Sequence, residues 1–294
     1  MMDMRSTSGH HAAMVGIAAA LMSQVSMNVG AGFAKLLFPV LGAYGVTSLR
    51  ITLAAAMLLA LYRPWRKPVG RDAIPALIAY GAMLGLMNLS YYQALARIPI
   101  GIATGIEVMG PLAVVLLSSR RPRDFVWLGL AVFGLFLLLP LRHNDGLDPV
   151  GLLFAFGAAT CWSFYIIFGK RVSGTLGSNA APWGMLVAAA IMLPTGLVTS
   201  GTAIFSPAYL LVGAGIALLS SAIPYSLEME AMRRLPAPVF GMLLGACPAI
   251  GALVGYVILD EILTPVQWLA IICIIASAVG SSVAASRPPA TGEA

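Results

Sequence analysis

VSGTLGSNAAPWGMLVAAAIMLPTGLVTSGTAIFSPAYLLVGAGIALLSSAIPYSL, residues 172–227, runs for 56 residues without an Asp, Glu, Lys or Arg. A bilayer core of about 30 Å takes about 20 apolar residues of helix. The stretch is far too long for one crossing and sufficient for two, divided at residues 200–207. The same division at Pro, Gly and charge gives ten spans along the chain: 12–37, 43–62, 73–95, 99–118, 124–141, 149–169, 182–199, 207–229, 236–259 and 264–285. The first is longer than the apolar core of a signal peptide, and nine more follow it. The predicted fold class is an all-α integral membrane protein of ten transmembrane helices.

Composition points the same way. Of 294 residues, 60% are hydrophobic and 10% charged, against roughly 45–50% and about 25% in soluble domains. Too little charge is present to cover a water-facing surface, which excludes soluble enzymes, nucleic-acid binders and disordered chains. The net charge of +6 would form a stripe or arm in a nucleic-acid binder; here it falls in short clusters between apolar runs. Cys161, Cys247 and Cys273 stand alone inside such runs, without disulfide or zinc spacing. No cofactor or metal signature is present.

The basic clusters orient the chain. With a cytoplasmic N-terminus, the inside segments hold 13 Lys and Arg: Arg5, Arg63, Arg66, Lys67, Arg71, Arg120, Arg121, Arg123, Lys170, Arg171, Arg233, Arg234 and Arg287. The outside loops hold only Arg97 and Arg142. That asymmetry predicts both termini in the cytoplasm, as a short segment 1–11 and a tail 286–294.

An internal repeat divides the spans. Ala94-Leu95-Ala96-Arg97-Ile98-Pro99 is echoed by Ala231-Met232-Arg233-Arg234-Leu235-Pro236 at an offset of 137, which Pro111 and Pro248 share. Phe33-Ala34-Lys35 matches Phe168-Gly169-Lys170 at 135, and Trp127 and Trp268 lead the fifth and tenth spans. Two halves of five helices follow, 12–141 and 149–285. Because five is odd, the second half enters from the opposite side, giving the inverted repeat of secondary transporters. Glycine pairs at i and i+4 (Gly81/Gly85, Gly101/Gly105, Gly241/Gly245 and Gly251/Gly255) predict close helix packing, with spans 3, 4, 8 and 9 at the tight centre.

Ionisable groups at membrane depth are costly and therefore candidates for function. Glu107 lies eight residues past Pro99, about 12 Å along a helix. A carboxyl there suits binding and releasing a proton or accepting a substrate ammonium group; an ion pair with Arg50 or Lys35 is the structural alternative. Arg50 and Lys35 lie within about two turns of the outer face, where they either snorkel or line a cavity in which a guanidinium grips a carboxylate. Pro224 interrupts the eighth span before Tyr225 and Glu228, and such breaks are tolerated where protein or water satisfies the freed backbone. Glu228 is a second candidate acid, or a solvated group at the inner interface. Asn88, Tyr91 and Tyr92 offer hydrogen bonds and aromatic faces, and Trp162 a substrate wall or a core ring. Pro111, Pro224 and Pro248 are the candidate breaks or hinges. Asp260 and Glu261 end the ninth span and are expected to cap or solvate its turn.

GFAKLLFPVLGAYGVTSLR from Gly32, GIEVMGPLAVVLLSSRRPRDFVW from Gly105, SSAIPYSLEMEAMRRLPAPVFGMLLG from Ser220 and DEILTPVQW from Asp260 together resemble the EamA-type branch of the drug/metabolite transporter superfamily. Within it they are most similar to the threonine and homoserine exporters of the bacterial inner membrane. The resemblance implies a ten-helix inverted repeat around a central cavity, inner-membrane placement, and proton-driven export of small amino acids. Cys247-Pro248 stands where that pattern has Glu-Pro, and Glu230 where it is apolar, so one membrane carboxylate of the pattern is missing.

The sequence therefore reads as an efflux carrier whose partners are an amino-acid substrate, protons and the lipid bilayer, with no cofactor and no nucleic acid. The alternative is the same fold carrying another metabolite or drug class. An integral-membrane transferase is disfavoured, since the only histidines, His10, His11 and His143, lie outside the spans.

Overall fold

The computed structural model describes residues 3–66, 69–118, 124–138, 147–235 and 243–286. Among them the backbone is helical and holds no strand. The helices are α1 (Asp3–Leu36), α2 (Phe38–Tyr62), α3 (Ile74–Leu95), α4 (Ile100–Glu107), α5 (Met109–Ser118), α6 (Asp124–Leu138), α7 (Pro149–Leu176), α8 (Ala180–Ser200), α9 (Pro207–Ala217), α10 (Ile223–Arg234), α11 (Cys247–Leu259) and α12 (Pro265–Ser286). A single π-helical turn, Leu218–Ala222, joins α9 to α10.

Five segments are long and apolar enough to cross a membrane: Met14–Leu36, Phe38–Tyr62, Arg71–Leu95, Pro149–Leu176 and Ala180–Phe205. Four shorter apolar ones are Ile100–Val114, Pro207–Ala222, Cys247–Leu259 and Pro265–Ser277. Their outward faces expose Leu153, Val198, Leu211 and Val257, as α6 exposes Val126 and Phe133. So much exposed apolar surface is a liability in water and a match for acyl chains.

Proline sets many of the starts. Pro39, Pro75, Pro149, Pro207 and Pro248 each occupy the first or second helical position, where the missing N–H costs little. The boundaries differ from the sequence reading in several places, beginning with α1, which is helical from Asp3 and not from residue 12, and α10, which runs on to Arg234. The residues left between the first two spans are helical from Phe38, with the bend confined to Gly42 at φ 65°, a conformation glycine adopts freely. The sixth span continues to Leu176. The fourth is interrupted at Val108 alone, where the backbone stays helical at φ −61° and ψ −20° but one hydrogen bond is lost, because Pro111 has no N–H for the Glu107 carbonyl four residues earlier.

Sequence-distant helices pack in pairs: α3 on α7 and α8, α2 on α8, α6 on α12, α4 on α11, and α1 on α10 and α11. Glycine allows the closest approaches. A Cβ on Gly101 of α4 would lie 2.6 Å from the Ala252 Cβ of α11, and one on Gly251 would lie 2.7 Å from Thr104 Oγ1. The Gly101/Gly105 and Gly251/Gly255 pairs thus face each other across one interface. Gly81 and Gly85 lie instead against Val187 and Ala188 of α8, so the seventh span, not the eighth, receives the glycines of the third.

A Leu at Gly101 must separate α4 from α11, whereas Gly215 has nothing within 4 Å of its Cβ direction. Gly101→Leu is expected to cost about 1–3 kcal/mol and Gly215→Leu almost nothing. Thermal unfolding of the detergent-solubilised variants checks this, and equal melting temperatures would show that this contact does not hold the bundle.

Candidate functional site

The site begins with a missing hydrogen bond. Pro224 cannot donate to the carbonyl of Ser220, and its ring crowds that carbonyl. The backbone accommodates this by widening into the π turn, with Ile223 N–H donating to Leu218 O. Such turns recur at functional positions. Two serines of α1 stitch the irregular segment to the bundle: Ser26 Oγ donates to Leu219 O at 2.7 Å and Ser23 Oγ to Pro224 O at 3.2 Å. Gly30 brings α1 close, since a Cβ there would lie 2.9 Å from Ser220.

The widened turn presents Ser220 and Ser221, both buried, to Arg50 of α2, which is only 6% exposed. Arg50 Nη1 donates to Ser220 Oγ at 3.2 Å and to Ser221 Oγ at 3.3 Å. Ser220 spends its own proton on Ile216 O at 2.7 Å, which leaves its oxygen to accept. Arg50 Nη2 donates to Asn88 Oδ1 of α3. Asn88 is oriented for this by its Nδ2, which donates to Leu84 O at 2.8 Å. The guanidinium carbon stands 4.8 Å from the centroid of the Tyr92 ring, a cation–π distance, and Tyr91 packs edge-on to Tyr92 at 5.9 Å. Arg50 Nε is buried without a partner. Every group holding this cation is uncharged, and among the described residues Arg50 has no ion pair. A buried guanidinium so held keeps its Nε–H unengaged, a donor of the kind that suits a carboxylate.

Glu107 supplies the opposite charge at some remove. It is the last residue of α4 and half-buried, within coulombic reach of Arg50 yet without a direct ion-pair or hydrogen-bond partner among the described residues. The carbonyl freed by Pro111 lies on the same residue. A carboxyl beside a freed backbone carbonyl makes a place for a proton or an ammonium group.

The wall beside Glu107 comes from α1, α7 and α11. Cys247, the first residue of α11, is buried with Val108 and packs against Trp162 of α7. Asn28 Nδ2 donates to Gln24 O at 2.9 Å and reaches Cys247 Sγ at 3.5 Å, while its Oδ1 is buried and unpaired. A tight turn at Gly245–Ala246 precedes α11, with Pro248 in its first turn.

Of the residues singled out from sequence, the structure gathers Arg50, Asn88 and Tyr92 around the π turn, sets Tyr91 behind the Tyr92 ring and Glu107 within coulombic reach, and places Trp162 against Cys247. Pro111, Pro224 and Pro248 lie at or beside backbone irregularities. Lys35 is elsewhere: its Nζ pairs with Glu261 Oε1 at 2.6 Å at the end of α1. The Glu261 carboxylate therefore serves α1 and α4, while only its backbone N–H closes its own turn. The side chains of Tyr225 and Glu228 lie outside the described residues. Glu230 pairs with Arg234 on an exposed helix face. Gln24, Asn28, Ser220 and Ser221 were not read from the sequence as site residues. Their signal is polarity inside an apolar run, with Gln24 and Asn28 one turn apart on α1. No cluster of three or more His, Cys, Asp or Glu suited to a metal exists among the described residues.

The model of the EamA-like transporter family matches residues 149–283. The threonine/homoserine exporter RhtA of Salmonella typhimurium (strain LT2) is 43% identical over 270 residues, 92% of each chain. That of Escherichia coli (strain K12) is 44% identical over 264 residues, 90% of each. The chain belongs to the EamA-like transporter family. A more distant relative, the uncharacterized transporter YwfM of Bacillus subtilis (strain 168), is 27% identical over 248 residues, 82% of this chain and 83% of its own. A crystal structure 20% identical in sequence superimposes with a TM-score of 0.63 over 96% of this chain and 99% of that one, so the two share a fold.

Asn88→Leu strips the Arg50 guanidinium of a buried acceptor. We expect a loss of about 1–3 kcal/mol, read as a lower melting temperature. A stability equal to the parent's would show that the serines and Tyr92 suffice to hold Arg50.

Proposed function

We propose that this chain is an inner-membrane secondary transporter that exports small amino acids such as threonine and homoserine, by proton antiport and alternating access. The observation that carries the reading is the buried Arg50, held only by uncharged partners, with the unpaired Glu107 within coulombic reach. An α-amino acid offers the two charges such a pair receives: its carboxylate to the guanidinium and its ammonium to the carboxyl. In the cycle Glu107 holds the substrate ammonium or a proton, not both. Asn88, Tyr91, Trp162 and Cys247 line the site, and Tyr225 and Glu228 belong to the same region of the sequence. The exporter relatives at 43–44% identity support the substrate class.

Ten crossings in two inverted halves are part of the proposal. The packing supports it: exchanging the first five spans for the last five maps α3 on α7 into α10 on α1, and maps the pairs α2–α8, α4–α11 and α6–α12 onto themselves. An inverted repeat has that self-consistency. Rocking of one half on the other opens the site alternately to each side. The excess of basic residues on one side supports cytoplasmic termini.

The test is efflux from proteoliposomes loaded with labelled threonine, homoserine and a purine, with and without an imposed pH gradient. The expected result is gradient-dependent efflux of the two amino acids only. Glu107→Gln is expected to abolish the gradient dependence, and Arg50→Met to lower efflux at least tenfold, a charge-assisted bond being worth about 1.5–3 kcal/mol. Arg50→Met should still fold, because an apolar chain replaces a desolvated charge at little cost. Efflux of the purine alone would keep the fold and remove amino acids as substrates. Unchanged proton-driven efflux in Glu107→Gln would remove that residue from coupling.

A further inference from the structure

The search for function outside the Arg50 site leads to the end of the bundle where α1, α4 and α11 meet. Glu261 stands just past α11, which Asp260 closes in the left-handed conformation at φ 53°. Its own N–H donates to Gly255 O at 3.0 Å, and its carboxylate turns back over the bundle. One oxygen, Oε2, accepts from Ile100 N–H at 2.8 Å and so caps the first turn of α4. The other, Oε1, pairs with Lys35 Nζ of α1 at 2.6 Å, and that ammonium also donates to Ile98 O at 3.2 Å. Gly255 leaves the space: a Cβ there would meet Glu261 Oε2. Lys35 and Glu261 are 22% and 13% exposed in their side chains. The other ion pair at this end, Arg97 with Asp148, is longer at 3.5 Å and over a third exposed on average, where ion pairs contribute little.

We propose that Lys35 and Glu261 form a gate latch, which seals this end of the bundle and breaks when the carrier opens there. The inference rests on the alternating-access reading and adds the residues that close one side. The carboxylate ties three elements that an opening must separate: the end of α1, the start of α4 and the turn after α11. The tie is charge-assisted, bridging and shielded from water, so it favours the closed arrangement more than a surface pair does. In the orientation read from the basic residues it is the outer gate. The opposite end is arranged differently. Lys170, to which an offset of 135 carries Lys35, is exposed and has no ion pair among the described residues. In the sequence, the offset of 137 carries Asp124 onto Glu261, so an inverted repeat sets an acid and a lysine of matching register at both ends.

Cys247 reports on the gate. It is 7% exposed beside Glu107 and becomes reachable from outside only when that end opens. In a full-length protein carrying Cys161→Ser and Cys273→Ser, a membrane-impermeant maleimide added to right-side-out spheroplasts measures its labelling rate. Glu261→Gln and Lys35→Met are expected to raise that rate about tenfold, the population change that about 1.4 kcal/mol produces, and Arg97→Gln to leave it unchanged. Parental labelling rates in both latch variants, with normal insertion by size-exclusion chromatography, would overturn the proposal. If Glu261→Gln does not insert, Lys35→Met gives the same reading, because it leaves Glu261 on the Ile100 N–H. Threonine efflux measured on the same cells keeps the two readings apart. A parent that exports no amino acid defeats the proposed substrate, while the labelling rates still decide the latch.

Discussion

A proline nitrogen has no proton to give, and in a bilayer no water stands in for it. At Pro224 this constraint shapes the centre of the molecule. The α register cannot continue through Ser220, so the chain widens into a π turn, and the backbone groups displaced by the widening must be met from outside the segment. Ser23 and Ser26 meet them from α1, which requires α1 to lie close, which in turn requires a glycine at residue 30. The turn then carries Ser220 and Ser221 to where Arg50 can be held without a counter-charge. Pro111 does the same on a smaller scale, ending α4 at Glu107. Polar chemistry sits where the helices are irregular because irregular backbone and buried charge need the same thing, a local supply of hydrogen-bond partners.

Close packing supplies the mechanical counterpart. α4 and α11 meet through Gly101, Gly251 and Gly255, each set directly against a side chain of the facing helix, Ala252, Thr104 and Ile100, so the two helices share an interface that can move as a unit or slide, but not deform gradually. Glu261 sits at one end of that interface and the Glu107/Cys247 wall toward the other end of α4. A displacement of α11 along α4 is therefore felt at both places.

Much of this was legible in the sequence, and what was not has physical causes. Apolar run length located the helices because the bilayer imposes it, and the rarity of charge at depth marked Arg50 and Glu107. The prolines marked the breaks, although the break at Val108 falls three residues before the proline that causes it, since a proline disrupts the carbonyl of the preceding turn. Side-chain direction was not legible. Lys35 and Arg50 have the same expected depth, and only the tertiary fold sends one to Glu261 and the other to the π turn. Ser220, Ser221, Gln24 and Asn28 went unread because small polar residues occur throughout membrane helices and become informative only when a neighbour needs them. Glu261 was read as capping its own turn because sequence shows the nearest helix end and not the one that folds over it, at Ile100.

The uncharged shell around Arg50 fixes the electrical ledger of the proposed cycle. With Glu107 ionised, the two groups sum to zero, and a zwitterionic amino acid adds nothing to that sum. When a proton takes the place of the amino acid, the acid is neutral and the guanidinium stands alone, leaving one positive charge in the membrane. Transmembrane voltage, worth about 2.3 kcal/mol per charge per 100 mV, then acts on the proton-loaded carrier and not on the substrate-loaded one. A negative-inside potential pulls the carrier back toward the cytoplasm between exports, while leaving the export step itself indifferent to voltage.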